Sequence, residues 1–196
     1  MASIGSMGIW KLSKKIGVIA EDNSDIEVVS EILAKYINVN DFTVKKFIGH
    51  GCGKLRNKCA SWAKLLTKQG CSHILLFHDL DRHCETVLRK DLEDKIRLQG
   101  ICDSIVVIPI EEMEAWLLSD PEAIKSAFSL KSKPKNISDC EAISSPKEYL
   151  RNLVWSLGRK KYLNTVHNKK IANLTSLNNL KRCRSFKVLD EYLQNV

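Results

Sequence analysis

No stretch of the chain approaches the roughly 18 consecutive apolar positions that a membrane-spanning helix needs. The longest apolar run, Ile105–Ile110, is six residues. The first residues lack the continuous apolar segment of a secretory signal, and "MASIGS" ahead of Met7 is set aside from the fold argument. The seven cysteines (Cys52, Cys59, Cys71, Cys84, Cys102, Cys140 and Cys183) are odd in number, scattered and without a CxxC pair. That pattern argues against a disulfide framework and a zinc ribbon, and a reducing cytoplasm is its natural setting. Internal repeats and low-complexity tracts are absent. "HGCGK" (50–54) has neither the spacing of a P-loop nor a Ser or Thr after its Lys, so it reads as a tight turn.

What is there is 44% apolar and 28% charged over 196 residues, which fits one globular domain with a small appendage. A core of useful size needs no staples at that length. The charge is uneven. Residues 131–196 hold 14 Lys and Arg against 5 Asp and Glu, whereas the remainder holds 17 against 18. A basic appendage beside a near-neutral domain suits a binder of DNA or RNA backbones, with a solvated helical surface as the plainer alternative. No membrane partner is expected, and the pattern leaves an oligomer open.

Apolar runs alternate with helix-period segments. "KIGVIAE" (15–21) reads as a buried strand and "SDIEVVSEILAKYI" (24–37) as an amphipathic helix, with Ser24 as N-cap. "FTVKKFIG" (42–49) is a second strand and "RNKCASWAKLLTKQ" (56–69) a second helix. "HILLFHD" (73–79) suits a central parallel strand. A charged helix follows over 85–100, ending at Gly100, and "SIVVIPI" (104–110) is the fourth strand. The repeat predicts an α/β, Rossmann-like sheet of about four mainly parallel strands flanked by helices. After residue 110 the pattern turns helical: "EEMEAWLLSD", then "DPEAIKSAF" with Asp120 as N-cap and Pro121 at its first position. "SLKSKPKNIS" is a loop, and "SPKEYLRNLVWSL", "NKKIANLTSL" and "SFKVLDEYLQ" are tail helices. The expected division is an α/β domain over 15–120 with a basic helical extension, 121–196, packed on it.

Ligands of open α/β sheets bind beyond the carboxyl ends of the strands, and three of the four strand ends are acidic here. Glu21, Asp22 and Asp25 follow the first strand, Asp79 and Asp81 the third, and Glu111, Glu112 and Glu114 the fourth. Three acidic clusters at one edge repel each other unless something cationic lies between them. Hard divalent ions such as Mg²⁺ take carboxylate oxygens from sets of this kind. Singly, each piece has a plainer reading: Asp22 or Asp25 as a first-turn helix acid, one glutamate as surface, and Met113, Trp116 and Leu117 as core. It is their convergence on one sheet edge that points to a metal.

"VIAEDNSD" resembles the opening of a response-regulator receiver domain, which would make Asp79 a phosphoacceptor and Lys133 its lysine. "LDRHC" after Asp79, "EEMEAW" after the fourth strand and a loop position for Lys133-Pro134 all depart from that pattern. A fuller resemblance is to the Toprim family, the α/β module of topoisomerases, primases and OLD-type nucleases. It rests on Glu21 and Asp25, on Asp79 and Asp81, and on Glu112 or Glu114. Small stand-alone Toprim-like bacterial proteins also share the turn "GHGCGKL", the segment "EMEAWLLSD" and an ending like "RCRSF", so the resemblance covers roughly residues 15–190. One departure is Asp22, where Toprim proteins usually carry Gly; a Cβ there requires a turn that avoids positive φ.

The resemblance implies phosphodiester cleavage assisted by one or two Mg²⁺ or Mn²⁺ ions. Glu21, Asp25, Asp79 and Asp81 would hold metal, and Glu114, with Glu112 as its substitute, would complete a second ion or orient water. Kinship with OLD-type nucleases adds an expectation of phage defence. The basic segment "GRKKYLNTVHNKK" (158–170) is a candidate phosphate clamp, with Lys161 or Lys169 neutralising transition-state charge. The alternative function is a non-catalytic nucleic-acid-binding or regulatory subunit that works with a partner ATPase; a hydrolase of small phosphoesters would need the metal without the basic tail. His78, His83 and Cys84, with His50 and Cys52, are a weaker zinc set. Trp62, Trp116 and Trp155 read as core, and His78 as packing at a strand edge.

Overall fold

In the computed structural model, which describes residues 14–101 and 103–196, four short apolar segments form one sheet. "MASIGS" and Cys102 lie outside the described residues. The strands β1 (Lys14–Ala20), β2 (Phe42–Ile48), β3 (His73–Phe77) and β4 (Ser104–Val107) all run parallel in the order β2-β1-β3-β4. The α/β, Rossmann-like reading holds. Because β1 pairs with β2 on one side and β3 on the other, the chain reverses its winding between β1 and β3. That reversal is the crevice where open sheets bind ligands.

Side chains alternate strictly across the sheet. Ile16, Val18, Ala20, Leu75, Phe77 and Val107 enter one core, while Ile19, Ile74, Leu76, Val106 and Ile108 enter the other. The second core is closed by α2 (Cys52–Lys68) and α3 (Glu85–Arg97) through Leu55, Cys59, Leu66, Leu88, Leu92 and Ile96. Gly17 belongs to this face; a Cβ there would stand 2.8 Å from Ile74 Cδ1 and 2.9 Å from Leu66 Cδ1, so the glycine lets α2 approach the sheet.

The first core is closed by α1 (Asn23–Leu33) and by the helices that follow β4: α4 (Glu114–Leu118), α5 (Pro121–Phe128), α6 (Pro146–Gly158), α7 (Asn164–Leu174), α8 (Leu177–Leu180) and α9 (Arg184–Leu193). Trp116 is its largest fully buried side chain; its ring meets Phe186 at 5.2 Å and its Nε1 donates to Ser185 Oγ at 2.8 Å. Glu141 fixes that end of α9 by accepting from the Ser185 backbone at 3.0 Å and from its hydroxyl at 2.5 Å. "EMEAWLLSD" and "RCRSF" thus form one structural joint, which Arg182 reinforces by donating to the Ser119 carbonyl at 3.2 Å. No helix among the described residues is long and apolar enough to cross a membrane.

Several local expectations shift. The N-cap of α1 is Asp22 and not Ser24: Asp22 Oδ1 accepts from Ser24 N at 2.6 Å and Asp25 N at 3.2 Å. Asp22 has φ −132°, so the extra Cβ after Glu21 meets no positive-φ turn. The helix stops at Leu33, four residues early, and α2 starts at Cys52 inside the glycine-rich stretch, with His50 (φ 53°) and Gly51 (φ 114°) making the turn. Asp120 caps α5 as expected, through Glu122 N and Ala123 N at 3.1 Å each. Trp155 is not core: it is 52% exposed, on the solvent side of α6. Trp62 is half-buried and stacks on Phe47 at 5.4 Å.

Candidate metal centre

Every strand of the sheet delivers its next residues to the same edge, and backbone bonds continue the ladder into the loops. Gly49 N donates to Ala20 O at 2.8 Å and His50 N to Glu21 O at 2.9 Å, which ties the β2 turn to Glu21. On the other side Leu80 N donates to Pro109 O at 3.0 Å and Asp81 N to Glu111 O at 3.4 Å, which ties the "HDLD" loop to the acidic loop after β4. Asp81 (φ 46°), Arg82 (φ 62°) and Glu111 (φ 59°) all sit in the left-handed region, a conformation of real cost for residues with a Cβ.

These loops bring Glu21, Asp25, Asp79, Asp81 and Glu114 within electrostatic range of one another. Burial raises the Asp79 carboxyl well above its usual range, and repulsion from Asp25, Glu114, Glu21 and Asp81 adds to it. Burial and then Asp22, with smaller contributions from Glu114 and Glu21, push Asp25 up to about 8. Glu21 is raised by burial, then by Asp81 and Asp22, with Lys147 partly opposing. Among the described residues the Asp79 carboxylate accepts no hydrogen bond. At the rim, ligand atoms of Glu21, Cys52 and Asp81 all fall within 4.8 Å of one another.

The last third holds this edge together from above. Glu114 is 3% exposed, and its Oε1 accepts from Tyr162 Oη at 2.9 Å and Asn168 Nδ2 at 3.1 Å. Lys147 Nζ approaches the same oxygen at 3.9 Å. Burial alone would lower the Lys147 ammonium, but Glu114, Asp22, Glu112 and Asp25 outweigh it and raise its pKa. Glu112 Oε2 accepts from the Lys147 backbone N–H at 2.8 Å. It therefore caps α6, whose own N-cap residue Ser145 makes no side-chain cap bond. Asn164 Nδ2 reaches Asp22 Oδ2 and Ser24 Oγ, both at 3.3 Å.

Of the expected site residues, Glu21, Asp25, Asp81 and Glu114 all act electrostatically on Asp79, but only Glu21 and Asp81, with Cys52, stand at ligand spacing; Glu112 caps α6. Lys161 and Lys169 do not join them. Lys169 is exposed and pairs with Glu31 at 3.8 Å on the α1–α7 surface, and Lys161 lines an outer groove. Tyr162, within the same basic segment, is 3% exposed and spends its hydroxyl on Glu114 and Asn168. The weaker zinc set does not assemble either. Among the described residues the cluster with metal-ligand spacing is Glu21, Cys52 and Asp81, while His78 is buried with Nδ1 2.6 Å from the Asp79 carbonyl and His83 and Cys84 are exposed.

The residue missed by reading the sequence is Lys147. It stands in the first turn of α6, where the helix dipole disfavours a cation, and that oddity was its available signal. Asn168, 0% exposed on an otherwise basic helix, was another. Residues 20–194 match the model of the family described as "Domain of unknown function (DUF4276)", and the chain belongs to that family. No curated protein and no solved structure matches the chain.

Proposed function

We propose that the protein is a divalent-metal-dependent nuclease of Toprim type, cleaving phosphodiester bonds at the C-terminal edge of its sheet. The observation that carries this reading is the Asp79 environment: a carboxylate with no hydrogen-bond partner among the described residues, raised by burial and by four other acids. A cluster of that kind is unfavourable by itself and is relieved by a hard cation with oxygen ligands. Glu21, Asp25, Asp79 and Asp81 fit the role of holding Mg²⁺ or Mn²⁺, with Glu114 alongside. Such an ion would supply Lewis-acid activation of water and stabilisation of charge on the phosphoryl oxygens.

The remaining chemistry belongs to the chain. Tyr162 and Asn168 orient Glu114 by hydrogen-bonding one oxygen only. Lys147 stands beside the acids as a half-buried cation and is the group best placed to offset negative charge on an incoming phosphate. The basic last third supplies the electrostatic attraction for a polyanionic substrate. Phage defence belongs to the same proposal, on the strength of the resemblance to OLD-type nucleases, whereas a partner ATPase belongs to the alternative of a non-catalytic subunit.

The test pairs titration calorimetry with Mn²⁺ and a nicking assay on plasmid DNA and on RNA, for the wild type and Asp79→Ala. Metal binding and metal-dependent nicking by the wild type alone support the proposal. Equal nicking by both proteins removes Asp79 from the mechanism. A wild type that holds no Mn²⁺ but binds nucleic acid instead favours the non-catalytic subunit.

A further inference from the structure

On α6, Lys147, Arg151 and Trp155 are spaced by four and so lie along one face of the helix. The stripe they form is roughly 12 Å long. It begins at the carboxylate edge, where Lys147 Nζ lies 3.9 Å from Glu114. It ends at an open groove of about 330 Å³ lined by Arg151, Trp155, Lys160, Lys161, Tyr162 and Leu163. The floor of the groove backs directly on the acidic edge, because Tyr162 lines the groove and donates its hydroxyl to Glu114.

Trp155 is the unusual member. It is 52% exposed, and the Arg159 guanidinium stands 5.5 Å from its ring centroid. Arg159 ends α6 in the left-handed conformation (φ 52°), a position usually given to glycine. The glycine is one residue earlier: a Cβ on Gly158 would stand 2.5 Å from Leu130 Cδ2. From Lys147 to Lys170 the chain has seven Lys and Arg and a single acid, Glu148. An exposed indole flanked by cations is the chemistry of a base-stacking platform beside a backbone track.

We propose that this groove binds an unpaired nucleotide of a single-stranded nucleic acid, with the base stacked on Trp155 and the phosphates along Arg151, Lys160 and Lys161. The stripe then leads the strand toward the carboxylate edge. The proposal rests on the nuclease reading for the fate of the strand, but not for binding. A membrane surface would also accept an exposed Trp among cations. Nucleic acid is favoured because the indole lies in a concave groove among cations, which suits a single base, whereas a bilayer is met by a protruding apolar surface.

The experiment is a fluorescence-anisotropy titration of labelled oligo(dT) and oligo(rU) in EDTA, where no metal is needed. Trp155→Ala should weaken binding by about 5- to 100-fold with an unchanged salt slope, and Trp155→Phe should keep most of the affinity. Arg151→Gln, Lys160→Gln and Lys161→Gln should each flatten the salt slope, by about 0.7 per lost phosphate contact. Asp79→Ala should lose cutting while its strand binding still depends on Trp155, and Trp155→Ala should still hold Mn²⁺, so a failed platform and a failed nuclease give different results. Equal affinity of the wild type and Trp155→Ala overturns the proposal. So does an equal loss on blunt duplex, or binding to phosphatidylcholine–phosphatidylglycerol vesicles that depends on Trp155 while oligonucleotide binding does not.

Discussion

At the edge of the sheet, carboxylates that repel one another stand in partly or fully buried positions around an exposed Asp81, with one half-buried lysine among them. Along α6, starting from that same lysine, cations and an indole stand open to solvent with few partners. The two regions obey different rules. The acidic edge is preorganised against its own electrostatics, so its residues bear on stability as well as chemistry. The basic stripe costs the fold almost nothing, since its side chains are solvated whether the chain is folded or not. Substitutions should separate the two regions.

The largest separation is expected at Asp79. Asp79→Asn should abolish metal-dependent nicking, a loss of 10³-fold or more, or about 4 kcal/mol of barrier. The same change should raise the stability of the metal-free protein by about 0.5–2 kcal/mol, because it removes an unpaired, repelled charge. Nicking rates and urea midpoints in EDTA measure the two effects. A destabilised but active variant would mean that Asp79 serves the fold and not the metal.

The pH dependence of the metal-free fold is the next effect. Asp25, Asp79, Glu21 and Glu112 are all raised in the folded state. The folded protein therefore binds more protons than the unfolded chain above pH 4. That contribution is complete below the ordinary carboxylate values and is lost as pH rises to about 8, the value for Asp25. Burial lowers His73 and His78, which works in the opposite direction, but only below their ordinary value of 6.5. Between pH 6.5 and 8 the acids should dominate, and stability in EDTA should fall by about 1–2 kcal/mol. Saturating Mn²⁺ should remove the decline. A flat or rising profile in EDTA would mean that the acids do not repel each other as placed.

Lys147 sits on the boundary between the two regions. Lys147→Met removes the cation beside Glu114 and should lower metal-free stability by about 1–2 kcal/mol, discounted for its partial exposure. With Mn²⁺ bound, the loss should shrink, since another cation then balances the acids. Equal losses with and without metal would make Lys147 a packing residue.

How much of this was legible in the sequence follows from the same contrast. The acids could be read because a strand end dictates where its next residue goes: Glu21, Asp79 and the glutamates after β4 follow short apolar runs of period 2 or unbroken hydrophobicity. Asp22 as N-cap was harder, because Asp22, Ser24 and Asp25 all suit the role and only the φ/ψ of Asp22 decides it. The partners from the last third were not legible. Tyr162, Asn168 and Lys147 reach Glu114 across separations of 48, 54 and 33 residues, over helix crossings that no local period encodes. Trp155 misled for a related reason. Leu150 and Val154 supply the buried face of α6, and an aromatic one position further on looks like more core until the helix's rotation on the sheet is known.

That rotation supplies the smallest predicted effect. Trp155→Ala should change stability by less than about 0.5 kcal/mol, as surface substitutions generally do. A buried indole would behave otherwise: Trp116→Ala, at a fully buried ring that also hydrogen-bonds Ser185, should cost about 3–5 kcal/mol. Urea denaturation of the two variants measures the difference directly. If both lose several kcal/mol, Trp155 is part of the core, and the contrast between a costly acidic edge and an inexpensive basic stripe fails. If only Trp116→Ala does, a large aromatic stands in solvent without serving the fold, and the reason for its placement has to lie in what it binds.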